Sequence, residues 1–219
     1  MSPRPEPPEG SYRREGAGLE FDRVSFFTDA VYAIAMTVLV VELHVPDLAR
    51  SDDPAALRRA VAAEGWAIVG FFIGFVVLGR YWLAGHRFFS TLRSIDRGMI
   101  SVNLVYLAFV AFTPFAVGLI SRYEDQPAVF VLFALTMVAI SGLELVLFRM
   151  AVRRGHMRFA LTPELERFGY LAAGTPVAMM ALSIPLAYLS PTLALLSWLL
   201  MIPAGWLIDR HAPPGAKDL

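Results

Sequence analysis

Six long apolar blocks constrain this chain of 219 residues more than any other feature of its sequence. Each block approaches the ~20 residues that a helix needs to cross ~30 Å of hydrocarbon. The blocks cover residues 24–44, 64–84, 99–120, 127–148, 168–188 and 191–208. The sequence therefore predicts an all-α integral membrane protein with six transmembrane helices, one six-helix unit per chain. Four prolines punctuate the last two blocks: Pro176, Pro185, Pro191 and Pro203.

The polar ends of the chain frame this membrane region. Residues 1–20 are rich in Pro, Gly and charge, which is typical of a segment that buries no core. We predict three parts: a flexible cytosolic tail over 1–20, a six-span membrane domain over 21–209, and a short cytosolic tail over 210–219.

The basic residues indicate the orientation. Six spans place both termini on one side, and that side receives 14 Lys and Arg residues in its loops and tails, against four on the other. Short loops rich in Lys and Arg remain on the cytoplasmic side. We therefore expect a multi-pass protein of the cell membrane with both termini in the cytoplasm.

Composition excludes several classes of function. Lys plus Arg and Asp plus Glu both number 19, so the sequence gives no electrostatic reason to bind nucleic acid. The chain has no cysteine, and its four histidines are scattered without an HExxH or GxSxG pattern. We predict no enzyme activity, no catalytic residues, no metal site and no cofactor; membrane lipid is the expected surrounding.

A few ionisable residues lie inside the apolar blocks, where each needs a partner or a water-filled path. Glu42 lies near a span end, so interfacial solvation explains it. Glu144 in span four suits either an interhelical bond or a group that faces a lumen. Arg80 in span two has no assigned role, and Asp29 in span one follows Arg23 closely enough for a charge network.

Span one carries an apolar stripe. At 100° per residue, four side chains fall on one line of the helix: Phe27, Ile34, Val38 and Val41. Such a stripe ordinarily means helix packing or contact with lipid, and periodicity alone does not distinguish a pore. Asp29 lies ~140° from Ile34 around the helix, so it is expected to face neighbouring helices.

The string Arg23, Phe27, Thr28 and Asp29 resembles the Arg-x-x-x-Phe-Ser-Asp signature of the transmembrane protein 175 family. This family comprises potassium channels of lysosomes and their bacterial relatives. Thr28 departs from the usual serine but keeps the hydroxyl. A second region resembles the family's pattern of an aromatic residue and histidine, a cytosolic aspartate and a third-span asparagine and proline; its residues are Trp82, His86, Asp96, Asn103 and Pro114.

The resemblance implies a channel whose first helix lines a central pore. The chain has no carbonyl filter loop, and carried over by position, Ile34 forms the narrowest constriction, followed by Val38 and Val41. Because the chain has one six-span unit, the pore requires a homotetramer, with potassium as the permeant ion. Thr37 lies ~60° from Ile34 and offers either a pore hydroxyl or an ordinary bond to its own backbone.

The resemblance also implies a network that fixes the first helix in register. Its predicted members are Arg23, Phe27, Thr28, Asp29, Trp82, His86 and Asn103. His86 is in addition a candidate pH sensor. The competing interpretation is a proton- or ion-coupled secondary transporter that uses Asp29, Arg80, His86 and Glu144, with prolines that break span five.

Overall fold

The computed structural model of the protein describes residues 12–13, 19–43 and 54–216. Most of the predicted N-terminal tail and the last three residues lie outside this part of the chain. The described residues form eight α helices: α1 (Leu19–Val38), α2 (Pro54–Ala63), α3 (Gly65–Thr91), α4 (Arg97–Arg122), α5 (Pro127–Arg153), α6 (Pro163–Leu189), α7 (Pro191–Leu199) and α8 (Met201–Arg210).

The six predicted spans are confirmed. Among the described residues, six helical segments are long and apolar enough to cross a membrane: Glu20–Glu42, Gly65–Thr91, Arg97–Arg122, Pro127–Arg153, Pro163–Leu189 and Pro191–Arg210. Several extend beyond the predicted apolar blocks, because the helices continue through the polar residues that flank those blocks. The last span consists of α7 and α8, which meet at Leu200.

Local sequence explains where the helices begin. Proline is the first residue of α5, α6 and α7, where its missing N–H would in any case have no partner within the helix. Asp96 caps α4 by accepting a hydrogen bond from the Met99 amide, and Thr162 caps α6 in the same way from the Leu165 amide.

The prolines inside the spans do not divide them. Pro114 lies within α4, and Pro176 and Pro185 lie within α6, which runs without interruption from residue 163 to 189. Membrane helices tolerate proline where neighbouring groups satisfy the freed backbone. The suggestion that prolines break span five is therefore wrong. This removes one argument for a transporter.

The core of the bundle places α1 against α3 and α4, while α4 packs on α5 and α5 on α6. The centre is formed by large buried side chains from these helices, chiefly Tyr32, Leu78, Tyr106, Val110, Met137 and Ile140. Helix α1 contributes one face to this core and leaves the opposite face uncovered.

One end of the bundle, here called the loop side, carries residues 92–96 and 154–162. There a two-residue strand β1 (Tyr12–Arg13) pairs antiparallel with β2 (Ser94–Ile95). A separate apolar cluster fills this end, and its fully buried members include Phe21, Leu92, Ile95, Met99 and Ala151. These contacts tie the start of α1 to the loops that precede α4 and α6.

Candidate functional site

The first span, which consists of α1 and the residues 39–42 that follow it, has two distinct faces. The face toward the bundle buries Thr28, Tyr32, Ala35 and Leu39. The opposite face leaves Ile34 62% and Val41 72% exposed, with Phe27 and Val38 also exposed. The predicted stripe therefore lies on the side of α1 that no described part of its own chain covers.

The end of the first span departs from α-helical geometry. Leu39–Glu42 form a 3-10 helix, whereas the sequence stripe assumes 100° per residue through residue 41. Side chains three residues apart eclipse in a 3-10 helix. Val41 is therefore brought more closely into line with Val38 than the α-helical period predicts.

Thr37 lies on the exposed face of α1, and its hydroxyl donates to the carbonyl of Ile34 at 2.8 Å. The ordinary bond to the backbone, one of the two possibilities for this residue, is thus present. A donating hydroxyl keeps its oxygen lone pairs as acceptors, so the Thr37 oxygen remains available to a cation.

Thr28 and Asn103 join α1 to α4. The Thr28 hydroxyl donates to the Val24 carbonyl at 2.9 Å and accepts from Asn103 Nδ2 at 2.9 Å. Asn103 is 1% exposed, and its Oδ1 has no hydrogen-bond partner among the described residues. The hydrogen bond that Asn103 makes to α1 therefore depends on the Thr28 oxygen.

Asp29 and Trp82 join α1 to α3. The indole Nε1 of Trp82 donates to Asp29 Oδ1 at 2.8 Å. The Trp82 ring lies 5.6 Å from the His86 ring, centroid to centroid, at an angle of 33°. The structure thus brings together Asp29, Trp82 and His86, with Asp29 facing its neighbouring helices as expected.

Two members of the predicted network lie outside these contacts. Arg23 is exposed, and in the described part of the chain it forms no hydrogen bond or ion pair with Asp29. Phe27 lies on the uncovered face with Ile34. Within the predicted network, the pairs that hold α1 are therefore Thr28 with Asn103 and Asp29 with Trp82.

A second polar chain crosses the middle of the bundle. Tyr106 donates to Glu144 Oε1 at 2.9 Å, and its hydroxyl is also hydrogen-bonded to the hydroxyl of Tyr32. Nearby, the Tyr81 hydroxyl lies 2.6 Å from Ser141 Oγ. Of the two possibilities for Glu144, the interhelical bond is present. Sequence reasoning missed the tyrosines, whose only signal is a phenol inside an apolar block.

The remaining ionisable groups of the spans, Glu42 and Arg80, are not fully buried. Glu42 lies at the end of its span, with a carboxylate oxygen 4.0 Å from Arg122. Arg80 is exposed on α3. No three His, Asp or Glu side chains converge as a metal site within the described residues.

Asp96 organises the loop side. Its carboxylate accepts from the Met99 amide at 2.8 Å and from Arg154 Nη1 at 2.8 Å, and it lies 3.1 Å from His156 Nε2. A carboxylate only accepts, so Nε2 carries the hydrogen, and in the neutral imidazole Nδ1 accepts from the Ser94 hydroxyl at 2.8 Å. Sequence reasoning found Asp96 but missed His156, which is fully buried.

We expect Asp96→Ala to lower the free energy of unfolding by about 1–2 kcal/mol, because it removes a helix cap and the partner of Arg154. Asp96→Asn keeps an N-cap oxygen and should lose less. Thermal unfolding of the purified variants measures both. Equal stability of all three proteins would contradict the structural role of Asp96.

The same carboxyl makes this contribution depend on pH. Burial raises the pKa of Asp96, but hydrogen bonds from the Met99 amide, Arg154 and His156 outweigh it and hold the pKa at about 2. The unfolded pKa is about 3.9. The stabilisation is therefore complete above the unfolded pKa and is lost as the pH falls toward 2.

Comparisons with known proteins agree with this architecture. The family described as endosomal/lysosomal potassium channel TMEM175 matches residues 23–114. A potassium channel of Streptomyces collinus is 31% identical over 63% of this chain and 68% of its own length. The human endosomal/lysosomal proton channel TMEM175 is 33% identical over 50% of this chain, but the match covers only 23% of that longer protein.

Solved structures share the fold. A TMEM175 homologue from Chamaesiphon minutus, described as a lysosomal potassium-selective channel homologue, superposes with a TM-score of 0.73 and 22% identity over 87% of this chain and 98% of that one. A variant of the potassium channel MtTMEM175 bound to a nanobody fusion superposes with a TM-score of 0.61 and 16% identity, over 93% and 96%. With the Streptomyces relative and the matched signature region, these findings show that the chain belongs to the TMEM175 family.

Proposed function

We propose that the protein is a potassium-permeable cation channel of the cell membrane, in which four copies of α1 surround a central pore that conducts passively. The names of the bacterial relatives support potassium as the permeant ion. The observation that carries the proposal is the uncovered apolar face of α1, opposite the face that packs against α3 and α4.

At the level of Ile34, the composition of that face favours contact with other copies of α1 over contact with lipid. Ala30 and Ala33 are exposed beside Ile34, and small side chains allow helix backbones to approach closely in membranes. The uncovered face of α3, by contrast, presents Phe72 and Phe75, which suit a lipid surface.

Around a fourfold axis, Ile34 forms an apolar ring that opposes the passage of hydrated ions. A cation crosses after it sheds water or when the ring dilates, which favours the weakly hydrated K⁺ over Na⁺. Val38 and Val41 form wider apolar levels, and the Thr37 oxygen lies beside the path as a candidate ligand. Thr28, Asp29, Trp82 and Asn103 hold the helix in register from the other side.

Flux from proteoliposomes tests the activity. Purified protein should release K⁺ faster than Na⁺ down equal gradients, without a coupling ion. If the vesicles released neither K⁺ nor Na⁺, the result would contradict a channel. Because the animal relatives are named proton channels, proton flux is measured in the same vesicles.

The mass of the purified protein in detergent, measured by light scattering, tests the assembly. Four copies are expected, since one six-helix unit cannot enclose a pore with a single first helix. A monomer at working concentrations would contradict the pore geometry. A tag at either terminus should be accessible to a membrane-impermeant probe from the cytoplasmic side only.

His86 provides a separate prediction on pH. Imidazole is the side chain whose charge ordinarily changes between pH 5 and 8. His86 is exposed, and its ring lies beside the ring of Trp82, which donates to Asp29. We expect K⁺ flux measured from pH 5 to 8 to vary in the wild type and to vary less in His86→Ala. Identical profiles would remove His86 as the sensor.

A further inference from the structure

We propose that Glu144 positions the pore helix through a chain of two tyrosine hydroxyls and thereby sets the width of the constriction at Ile34. The chain runs from Glu144 on α5 through Tyr106 on α4 to Tyr32 on α1. The proposal rests on the proposed function, in which α1 lines the pore.

The chain has a defined direction. The Glu144 oxygen accepts from the Tyr106 hydroxyl, which has a single hydrogen to donate. The hydroxyl of Tyr106 must therefore accept from Tyr32, and Tyr32 is the donor at the α1 end. A change at Glu144 therefore affects Tyr32 through the hydroxyl of Tyr106, which is hydrogen-bonded to both residues.

Tyr32 holds α1 at the level of the constriction. It precedes Ile34 by two residues, which places the two side chains ~200° apart around the helix and their Cα atoms ~3 Å apart along it. Tyr32 is fully buried and Ile34 is 62% exposed, so one points into the bundle and the other away from it. A shift of the Tyr32 hydroxyl therefore moves Ile34 along the radius of the pore.

Placing Glu144 in a membrane span costs free energy, which an ordinary apolar packing residue would not. A carboxyl group in a membrane span requires a partner. Within the described residues no Lys, Arg or His forms an ion pair with Glu144, and its hydrogen bond comes from Tyr106. A leucine would pack here at lower cost, but it would leave the two tyrosine hydroxyls without their final acceptor.

The bundle contains a matched control. Tyr81 on α3 is buried, and its hydroxyl is hydrogen-bonded to Ser141 on α5, one turn from Glu144. This pair has the same chemistry, and its hydrogen bond joins α5 to α3 and includes no residue of α1. Tyr81→Phe thus removes a comparable buried hydrogen bond from the same region while leaving the chain to Tyr32 intact.

The experiment records unitary K⁺ currents and the K⁺/Na⁺ permeability ratio of the full-length protein in planar bilayers. Tyr32→Phe, Tyr106→Phe and Glu144→Leu should each change the permeability ratio by about threefold or more, the effect expected when one hydrogen bond is removed. Tyr81→Phe should leave the ratio unchanged. Glu144→Gln keeps an acceptor oxygen and should restore most of the wild-type ratio.

The double variant of Tyr32→Phe and Tyr106→Phe should match Tyr106→Phe alone, since both break one chain. Additive effects, or a Tyr81→Phe effect equal to that of Tyr32→Phe, would overturn the proposal. If Glu144→Leu fails to assemble, Tyr32→Phe and Glu144→Gln still test the proposal, because the first should change the permeability ratio and the second should leave it close to wild type. An Ile34 variant recorded alongside separates the two claims: if it alters the ratio and the chain variants do not, only the role of Glu144 fails.

Discussion

Replacing Ile34 by alanine should raise K⁺ flux by about tenfold, which corresponds to a barrier lower by ~1.4 kcal/mol, and should erode the preference for K⁺ over Na⁺. The reason is that four shortened side chains widen the apolar ring and reduce the dehydration that an ion undergoes. Ile34→Asn should act in the same direction, because an amide at the ring replaces part of the ion's hydration shell. Ion flux from proteoliposomes measures both effects.

Phe72 supplies the control for this prediction. It is apolar and 62% exposed, the same fraction as Ile34, but it lies on the uncovered face of α3. Phe72→Ala should leave flux and selectivity near wild type if that face meets lipid. Equal effects of the two substitutions, or no effect of either, would contradict a constriction at Ile34.

Thr28→Val should cost about 1–3 kcal/mol of stability and abolish most of the flux. Valine matches threonine in shape, but it has no oxygen to accept from Asn103, whose buried amide would then lack an acceptor for the hydrogen bond that it donates. Without this hydrogen bond, α1 is no longer fixed against α4 at the start of the pore. Thermal unfolding in detergent and K⁺ flux are measured on the same preparation.

Thr28→Ser is the matched test of this reasoning. Serine is the residue that the family signature usually carries, and it keeps the oxygen that Asn103 needs. Its stability should lie within about 0.5 kcal/mol of the wild type, with flux retained. If Thr28→Ser were as damaging as Thr28→Val, the methyl group and not the hydroxyl would be the important feature.

Much of the fold could be predicted from the sequence, because the bilayer imposes a simple rule. Any helix that crosses it needs a long apolar run, so six runs predicted six spans, and the structure confirms them. Helix ends were less predictable, since polar residues extend α3 and α5 past their apolar blocks. The 3-10 helix at Leu39–Glu42 has no clear sequence signal, because hydrogen-bond register, and not polarity, defines it.

The candidate site was predictable only where a short motif carried it. Thr28 and Asp29 fall within one signature, and their partners Asn103 and Trp82 lie in the second matching region. Tyr32 was not found, because a tyrosine inside an apolar block carries no local signal of its hydrogen-bond partner. Its role depends on Tyr106 and Glu144, which are 74 and 112 positions away in the sequence and meet it only in the folded bundle.

His156 illustrates the same limit on the loop side. In the sequence it lies among five arginines of a basic loop, where a solvated position is the ordinary expectation. In the structure it is fully buried between Asp96 and Ser94, because the loops of residues 92–96 and 154–162 pair across this end of the bundle. Such pairing between loops that are distant in the chain leaves no local pattern in the sequence.

The central claim, passive conduction of K⁺ through a pore lined by α1, is tested most directly by recording purified wild-type protein in planar bilayers under a K⁺ gradient. We expect discrete current steps whose reversal potential lies toward that of K⁺ and which need no coupling ion. A flux that saturates, shows no steps and requires a second ion would contradict the channel and favour a transporter.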